Sequence, residues 1–221
     1  MKKLVIFFMC FGIVFTSKAR MGETLEQCEA RYGKPISEII GGAGVYTIRT
    51  YQKEDIQITA FFMGNSTQNA QVRMLVYEMV VKGFGKQPLQ YEMLTQHSLS
   101  PEEEKQLLSA IPGLWEVDDA RTTLKSTRKI DKPLIKSFYE RRLDACKAAV
   151  KDAITAVHKT GLEVPVNDLL HNNKEIFAFR VPGGMAVINQ EAAPNIQRWA
   201  EVPLKHMENE RNAPARTLDG F

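Results

Sequence analysis

Three consecutive strand-like segments, joined by short polar turns, constrain the fold of this chain more than any other feature of its sequence. Val45–Tyr51 is rich in β-branched and aromatic residues, and both Ile56–Met63 and Gln71–Val80 show the two-residue alternation of a β-strand. The connections Lys53–Asp55 and Gly64–Asn69 are polar turns. Because such short turns join antiparallel neighbours, the sequence predicts an antiparallel meander.

The alternation also predicts which side chains of the meander are buried together. Residues two apart on a strand lie on the same face of a sheet. We expect one buried face, covered by Leu25 and Tyr32 of a preceding helix. Its expected members are Ile56, Ile58, Phe62, Val72, Met74 and Val76.

The preceding helix is predicted over residues 24–32. Thr24 and Gln27 have the spacing of a capping box, in which each side chain satisfies a backbone N–H of the first turn. Gly33 suits the left-handed position after a helix, and Pro35 prevents continuation. The apolar face of this helix carries Leu25, Cys28 and Tyr32.

Two further helices are predicted downstream. Ser100 as N-cap, Pro101 at the first helical position and Glu103 completing a capping box mark the start of one. The longest helix is predicted from Asp131 to about Lys159. Its apolar stripe is typical of a core-facing helix and consists of Tyr139, Leu143, Cys146, Val150, Ala153 and Val157.

The C-terminal part is predicted to form a β-hairpin and a tail. Ile176–Val181 and Met185–Asn189 flank the turn sequence Pro182–Gly184. His206–Phe221 is polar and is expected to be flexible. The predicted fold class is therefore α+β: a small antiparallel β-meander with a packed N-terminal helix, followed by a long helix and a C-terminal β-hairpin.

The predicted organisation has four parts. Residues 1–19 are a signal peptide, and residues 20–119 form an α+β sheet domain. Residues 120–205 hold the long helix and the hairpin, either as a second unit or packed on the same core. Residues 206–221 are the tail.

The first nineteen residues have the pattern of an export signal. Lys2 and Lys3 precede the uncharged apolar run Leu4–Phe15, which as a helix rises only about 18 Å and is too short for a hydrocarbon core about 30 Å thick. Ser17 and Ala19 are small residues two apart, as a signal peptidase requires. We expect cleavage after Ala19 and a periplasmic or secreted protein with no stable membrane span. An uncleaved membrane anchor is the alternative.

The charge of the mature chain excludes one class of partner. The whole chain has 29 basic and 26 acidic residues, and three of the lysines precede residue 20. The mature chain is therefore formally neutral and has no electrostatic field to steer nucleic acid.

Two cysteines, Cys28 and Cys146, remain after cleavage at Ala19. An even pair in an oxidising compartment suggests a disulfide. The alternative is that both are small buried hydrophobic residues, since each lies on the apolar face of a predicted helix.

The sequence assigns no catalytic, cofactor-binding or metal-binding residue. No two of the histidines His97, His158, His171 and His206 have the spacing that places two ligands on one helix face. His158, near a helix C-terminus, is explained by its favourable interaction with the helix dipole. There is also no nucleophile elbow and no phosphate-binding loop that follows a strand.

The N-terminal region resembles a known family. Gly22-Glu23-Thr24, then Tyr32-Gly33-Lys34-Pro35 and then a sheet are similar to the start of the small outer-membrane-assembly lipoproteins of the SmpA/OmlA type. This resemblance covers roughly residues 22–80 and implies a helical segment packed on a three-stranded antiparallel sheet. The segment Leu25–Pro35 is also similar to exported proteins of verrucomicrobial-type bacteria. Unlike the lipoproteins, this chain has no lipid-attachment cysteine and has an additional long helix.

These observations favour a non-enzymatic binding or scaffold protein of the bacterial envelope. We expect a protein partner to contact the sheet edge at Val45–Tyr51 and the loop Gly64–Asn69, with Thr47 and Ser66 at the contact. A competing expectation is that the C-terminal hairpin caps that edge. The alternative function is a secreted or periplasmic enzyme, hydrolase-like, whose site is assembled from scattered residues.

Overall fold

Two four-stranded meanders meet in one antiparallel sheet in a computed structural model of this chain. The structure describes residues 21–41, 46–64, 69–79, 99–109, 115–117, 132–159, 164–172 and 175–212. The first meander consists of β1 (Ser37–Gly41), β2 (Tyr46–Lys53), β3 (Ile56–Met63) and β4 (Gln71–Met79). The second consists of β5 (Trp115–Val117), β6 (Asn167–Asn172), β7 (Ile176–Val181) and β8 (Gly184–Asn189). Because β4 pairs with β8, the strand order is β1-β2-β3-β4-β8-β7-β6-β5.

Helices cover both faces of this sheet. In the described part of the chain, the α-helices are α1 (Leu25–Tyr32), α2 (Pro101–Ser109), α3 (Lys132–His158) and α4 (Ala193–Asn212). Side chains of α1 and α2 share a core with one face, and side chains of α3 and α4 share a second core with the other. The predicted α+β class is confirmed, with the N-terminal helix, the long helix and the hairpin in their expected order. Among the described residues, no helix combines the length and apolarity needed to cross a membrane.

Local capping starts α1 and α2 where the sequence predicts. The Thr24 N–H donates to Gln27 Oε1 at 2.9 Å, and the Gln27 N–H donates to Thr24 Oγ1 at 3.3 Å. At α2 the Ser100 N–H donates to Glu103 Oε2 at 2.7 Å, and the Glu103 N–H donates to Ser100 Oγ at 3.3 Å. Each reciprocal pair satisfies two N–H groups that an uncapped helix leaves without partners.

A β-bulge in β4 changes which side chains share a face. Phe61 lies opposite Met74 and Phe62 lies opposite Val72, so Arg73 is an extra residue in β4. As a result, Val72 belongs to the core under α1, whereas Met74 belongs to the core under α3 and α4.

The predicted single buried face is therefore partly wrong. Met74 and Val76 lie on the opposite side of the sheet from the other expected members. The bulge is the physical reason, because it inserts one residue and reverses the alternation between Val72 and Met74. The members that do pack in the α1-side core, together with Leu25 and Tyr32, are Ile56, Ile58, Phe62 and Val72.

A bidentate ion pair attaches α2 to the second meander. The Nε and Nη2 groups of Arg180 in β7 donate to Oε1 and Oε2 of Glu104 at 2.8 and 2.7 Å. Glu104 is one of the few buried charged residues of the described chain. The two predicted parts, residues 20–119 and residues 120–205, thus contribute strands to one sheet. The Glu104–Arg180 ion pair is a further contact between them.

The first part of the predicted flexible tail is helical. α4 extends to Asn212, so residues 206–212 are helical, and residues 213–221 lie outside the described chain. Side-chain contacts four residues apart, Glu201–Lys205 at 3.5 Å and His206–Glu210 at 3.4 Å, support a helix in this polar stretch. Polarity alone therefore gave the wrong prediction for its first seven residues.

Candidate functional site

Among the strands that the structure describes, β1 lies at one edge of the sheet. Along its inner side β1 pairs with β2 from Ser37 opposite Thr50 to Gly41 opposite Tyr46. Within the described residues, β1 ends the strand order and no strand pairs with its outer side. An edge strand presents a row of backbone N–H and C=O groups to which another extended chain can bind.

The geometry of the β1–β2 ladder identifies which backbone groups point outward. The Ile36 N–H donates to the Thr50 carbonyl oxygen at 2.8 Å, so the backbone groups of Thr50 face β1. Its register partner Ser37 then faces β2, and so do Ile39 and Gly41, because backbone groups alternate along a strand. The N–H and C=O groups of Glu38 and Ile40 consequently point away from the sheet.

Apolar side chains accompany these outward backbone groups. The side chains of Ile36, Ile39 and Ile40 are 59%, 44% and 62% exposed. Natural edge strands are usually protected by lysine, proline or a bulge, and Ser37–Gly41 contains no lysine and no proline. The strand therefore exposes apolar side chains beside one charged residue, Glu38.

Arg49 of β2 anchors the edge strand to α1. Its Nε donates to Glu38 Oε1 at 2.6 Å, and its Nη1 lies 3.2 Å from Glu29 Oε2. One guanidinium thus joins a carboxylate of β1 and a carboxylate of α1. Both carboxylates are partly exposed, whereas the arginine is largely covered.

On the other face, α4 meets the same edge. A Cβ atom at Gly41 would lie 3.4 Å from Cδ1 of Trp199, and the Trp199 indole packs edge-on against Phe61 with ring centroids 5.5 Å apart. After Ala200 none of the described α4 residues is buried. The helix nevertheless continues through Glu201–Asn212, about 18 Å at the normal rise per residue. Val202, 72% exposed, lies near the start of this α4 extension.

The predicted contact residues are not at this edge. Thr47 is only 2% exposed and lies in β2, which is paired with β1 on one side and β3 on the other, so its prediction as an edge residue is wrong. Ser66 lies outside the described residues. The C-terminal hairpin joins the meander at β4, so the expectation that it caps the edge next to Val45–Tyr51 is also wrong.

A buried acid–base pair is the second candidate. His158 Nε2 lies 2.8 Å from Glu78 Oε1, and the side chains are 8% and 1% exposed. Glu78 Oε2 is buried without a hydrogen-bond partner in the described chain. The small space beside the pair is enclosed by side chains of β3, β4 and α3, including Thr59, Phe61 and Ile154. The predicted role of His158 at the helix C-terminus omitted this partner, which is 80 residues away in sequence.

The two cysteines do not form the disulfide considered from the sequence. Cys28 and Cys146 are both free and buried. Cys28 belongs to the core under α1 and Cys146 to the core under α3 and α4, so the sheet lies between them. Burial raises the pKa of each thiol to about 12. The alternative interpretation, two small buried hydrophobic residues, describes both.

The polar groups around Cys28 are engaged with one another. Cys28 Sγ lies 3.8 Å from Glu23 Oε2, and Glu23 also forms a salt bridge with Arg31. Within the described ranges, no group of three or more histidine, cysteine, aspartate or glutamate side chains is arranged to hold a metal ion.

Comparisons with protein-family models, with curated proteins and with solved structures find no match to this chain. The resemblance of residues 22–80 to outer-membrane-assembly lipoproteins therefore stays a prediction.

Proposed function

We propose that this protein is an exported, non-enzymatic envelope protein that binds an extended segment of a protein partner along β1. The observation that carries the proposal is the edge position of β1 together with three exposed isoleucines at the strand, Ile36, Ile39 and Ile40. In β-strand addition, the backbone hydrogen bonds supply affinity and the alternating side chains supply specificity. The outward N–H and C=O groups of Glu38 and Ile40 are the backbone sites for such a segment.

The anchoring of β1 supports this function. A strand that accepts a partner has to be held in its extended conformation, because ordering each residue costs about 1–2 kcal/mol of conformational entropy. Here the Arg49–Glu38 ion pair and the Ile36–Thr50 backbone hydrogen bond hold β1 before any partner arrives. The binding edge is thus preorganised, which reduces the entropy lost on association.

Export is the second part of the proposal. Lys2 and Lys3, the apolar run Leu4–Phe15 and the Ser17–Ala19 pair support secretion with cleavage after Ala19. A periplasmic or secreted location would place β1 among envelope proteins. It is also compatible with the formally neutral mature chain, which does not attract nucleic acid.

The alternative function, a hydrolase-like enzyme, has one observation in its favour: the buried Glu78–His158 pair with its unsatisfied carboxylate oxygen. A general acid or base must come within hydrogen-bonding reach of its substrate. The pair is enclosed between the sheet and α3, so we favour binding over catalysis. Hydrolytic activity abolished by His158→Gln, with the fold retained, would support the enzyme instead.

Site-specific cross-linking with a backbone-blocking variant tests the binding proposal. A photoreactive residue replaces Ile36 in the full chain in native envelopes, and a second probe replaces Glu175, which is exposed beside β7 on the distant half of the sheet. We expect a discrete cross-linked protein from position 36 alone. Ile40→Pro should abolish it, because proline removes an outward N–H without removing a ladder bond.

Ile40→Ala is the matched control, since it shortens the same side chain and keeps the N–H group. It should weaken the cross-link without abolishing it. The same products from both probes, or a cross-link that survives Ile40→Pro in a folded variant, would contradict binding along β1.

A further inference from the structure

We infer that the segment bound along β1 carries a lysine or arginine on the α1 side of the sheet and apolar side chains on the α4 side. This inference rests on the proposed function and deepens it, because it names the chemistry of the partner. It follows from the different environments of the two faces of one edge strand.

The α1 side of the edge carries the exposed Ile40 and a surplus carboxylate. Glu38 lies opposite Arg49, and Arg49 also contacts Glu29, so one positive charge serves two negative charges. The neighbouring guanidinium of Arg31 is paired with Glu23. Opposite charges on adjacent strands attract across a sheet, so a basic side chain opposite Glu38 would complete this group.

The α4 side of the edge is apolar. Ile39 lies opposite Ile48, a member of the core under α3 and α4. Gly41 lies next to the Trp199 indole and, as a glycine, has no side chain to cover it. A strand added beside β1 would lie about 4.8 Å further out from the sheet. Its side chains on this face would pack against Ile39 and the Trp199 indole beside Gly41.

A second copy of this chain fits the edge less well. When two copies of β1 pair antiparallel, the α1 sides of both copies lie on the same face of the joined sheet. Pairing centred on Ile39 therefore puts Glu38 opposite Ile40 of the other copy. The two copies of Glu38 then lie diagonally on the same face, roughly 7–8 Å apart. The repulsion between these two carboxylates disfavours the dimer. A partner segment with a basic residue next to Glu38 is attracted instead.

Synthetic strands of defined charge test the inference. The probe is a nine-residue peptide of alternating threonine and valine with lysine as its central residue, so that lysine and threonine share one face and valine occupies the other. Matched peptides carry glutamine or glutamate in place of lysine. We expect the lysine peptide to bind about five-fold more tightly than the glutamate peptide, which corresponds to an exposed ion pair of about 1 kcal/mol. The difference should shrink in 0.5 M NaCl because salt screens exposed charges.

Two variants locate the effect. Glu38→Gln should reduce the preference for lysine, whereas Glu175→Gln, at an exposed glutamate five strands away, should leave it unchanged. Ile40→Pro should prevent binding of all three peptides.

The outcomes separate the two proposals. If the lysine and glutamate peptides bind equally and Ile40→Pro prevents binding of both, the charge inference is overturned and the edge-binding function is left intact. A concentration-dependent dimer that Ile40→Pro disrupts, without peptide binding, would assign the edge to a second copy and overturn the inference. If Ile40→Pro does not change the binding of the peptides, both the charge inference and the edge-binding function are overturned.

Discussion

Nε2 of His158, the last residue of α3, lies 2.8 Å from Oε1 of Glu78 in β4, and both side chains are buried. Burial alone lowers the pKa of the imidazole, but the charge and the hydrogen bond of Glu78 outweigh it, so the pKa of His158 is raised above its ordinary value of 6.5. The pair fastens the C-terminal end of α3 to the centre of the sheet.

This pair predicts a pH-dependent stability. Because the pKa of His158 is higher in the folded than in the unfolded chain, its charged form stabilises the fold fully below about pH 6.5, and that contribution is lost as the pH rises through the raised pKa. We expect His158→Gln to lower the free energy of unfolding by about 3–5 kcal/mol at pH 6 and by less at pH 9. Urea titrations at both pH values measure the difference. His206→Gln, at an exposed histidine that contacts Glu210, is the control and should change little at either pH. An equal loss for His158→Gln at pH 6 and pH 9 would show that the imidazole is not charged in the fold.

Phe62 should be a major contributor to the core under α1. Its side chain is fully buried among Ile58, Val72 and the other residues of this core. Phe62→Ala should therefore lower the free energy of unfolding by about 3–5 kcal/mol, since it removes buried surface and leaves a cavity. Ile40→Ala, at an exposed position of the edge strand, should cost no more than about 0.5 kcal/mol. A loss below about 1 kcal/mol for Phe62→Ala would contradict the position of Phe62.

Cys28 and Cys146 should remain unreacted thiols in the folded protein. Their burial and their pKa values near 12 leave little thiolate at neutral pH, and only the thiolate is an efficient nucleophile. We expect iodoacetamide to modify neither residue in buffer and both in denaturant without a reductant, as measured by peptide mass spectrometry. Modification in denaturant only after reduction would reveal a disulfide.

The mature protein should begin at Arg20. The short apolar run followed by Ser17 and Ala19 places the cleavage after Ala19. Intact mass of protein recovered from the envelope fraction measures the N-terminus directly, and Ala19→Tyr should block processing by filling the small peptidase pocket. Recovery of wild-type protein that retains Met1 would contradict cleavage.

The candidate site was only partly predictable. The sequence suggests a free sheet edge but not which strand forms it, since β1 has five residues and no polar–apolar alternation. Ile39 and Ile40, a β-branched pair shortly after Pro35, were the available signal. The Arg49–Glu38 and Arg49–Glu29 contacts join residues 11 and 20 positions apart, and no local pattern predicts them.

The sequence by itself determined the local elements of this protein. The capping boxes at Thr24 and Ser100, the limits of Ile56–Met63 and the turn at Pro182–Gly183 depend on residues within a few positions of one another. Only the tertiary structure decided that β4 pairs with β8, that the bulge at Arg73 moves Met74 and Val76 to the other face, and that Glu78 meets His158. The physical reason is that strand pairing and burial depend on contacts between distant segments. Hydrophobic alternation specifies that a strand has two faces, but not which helix covers each one.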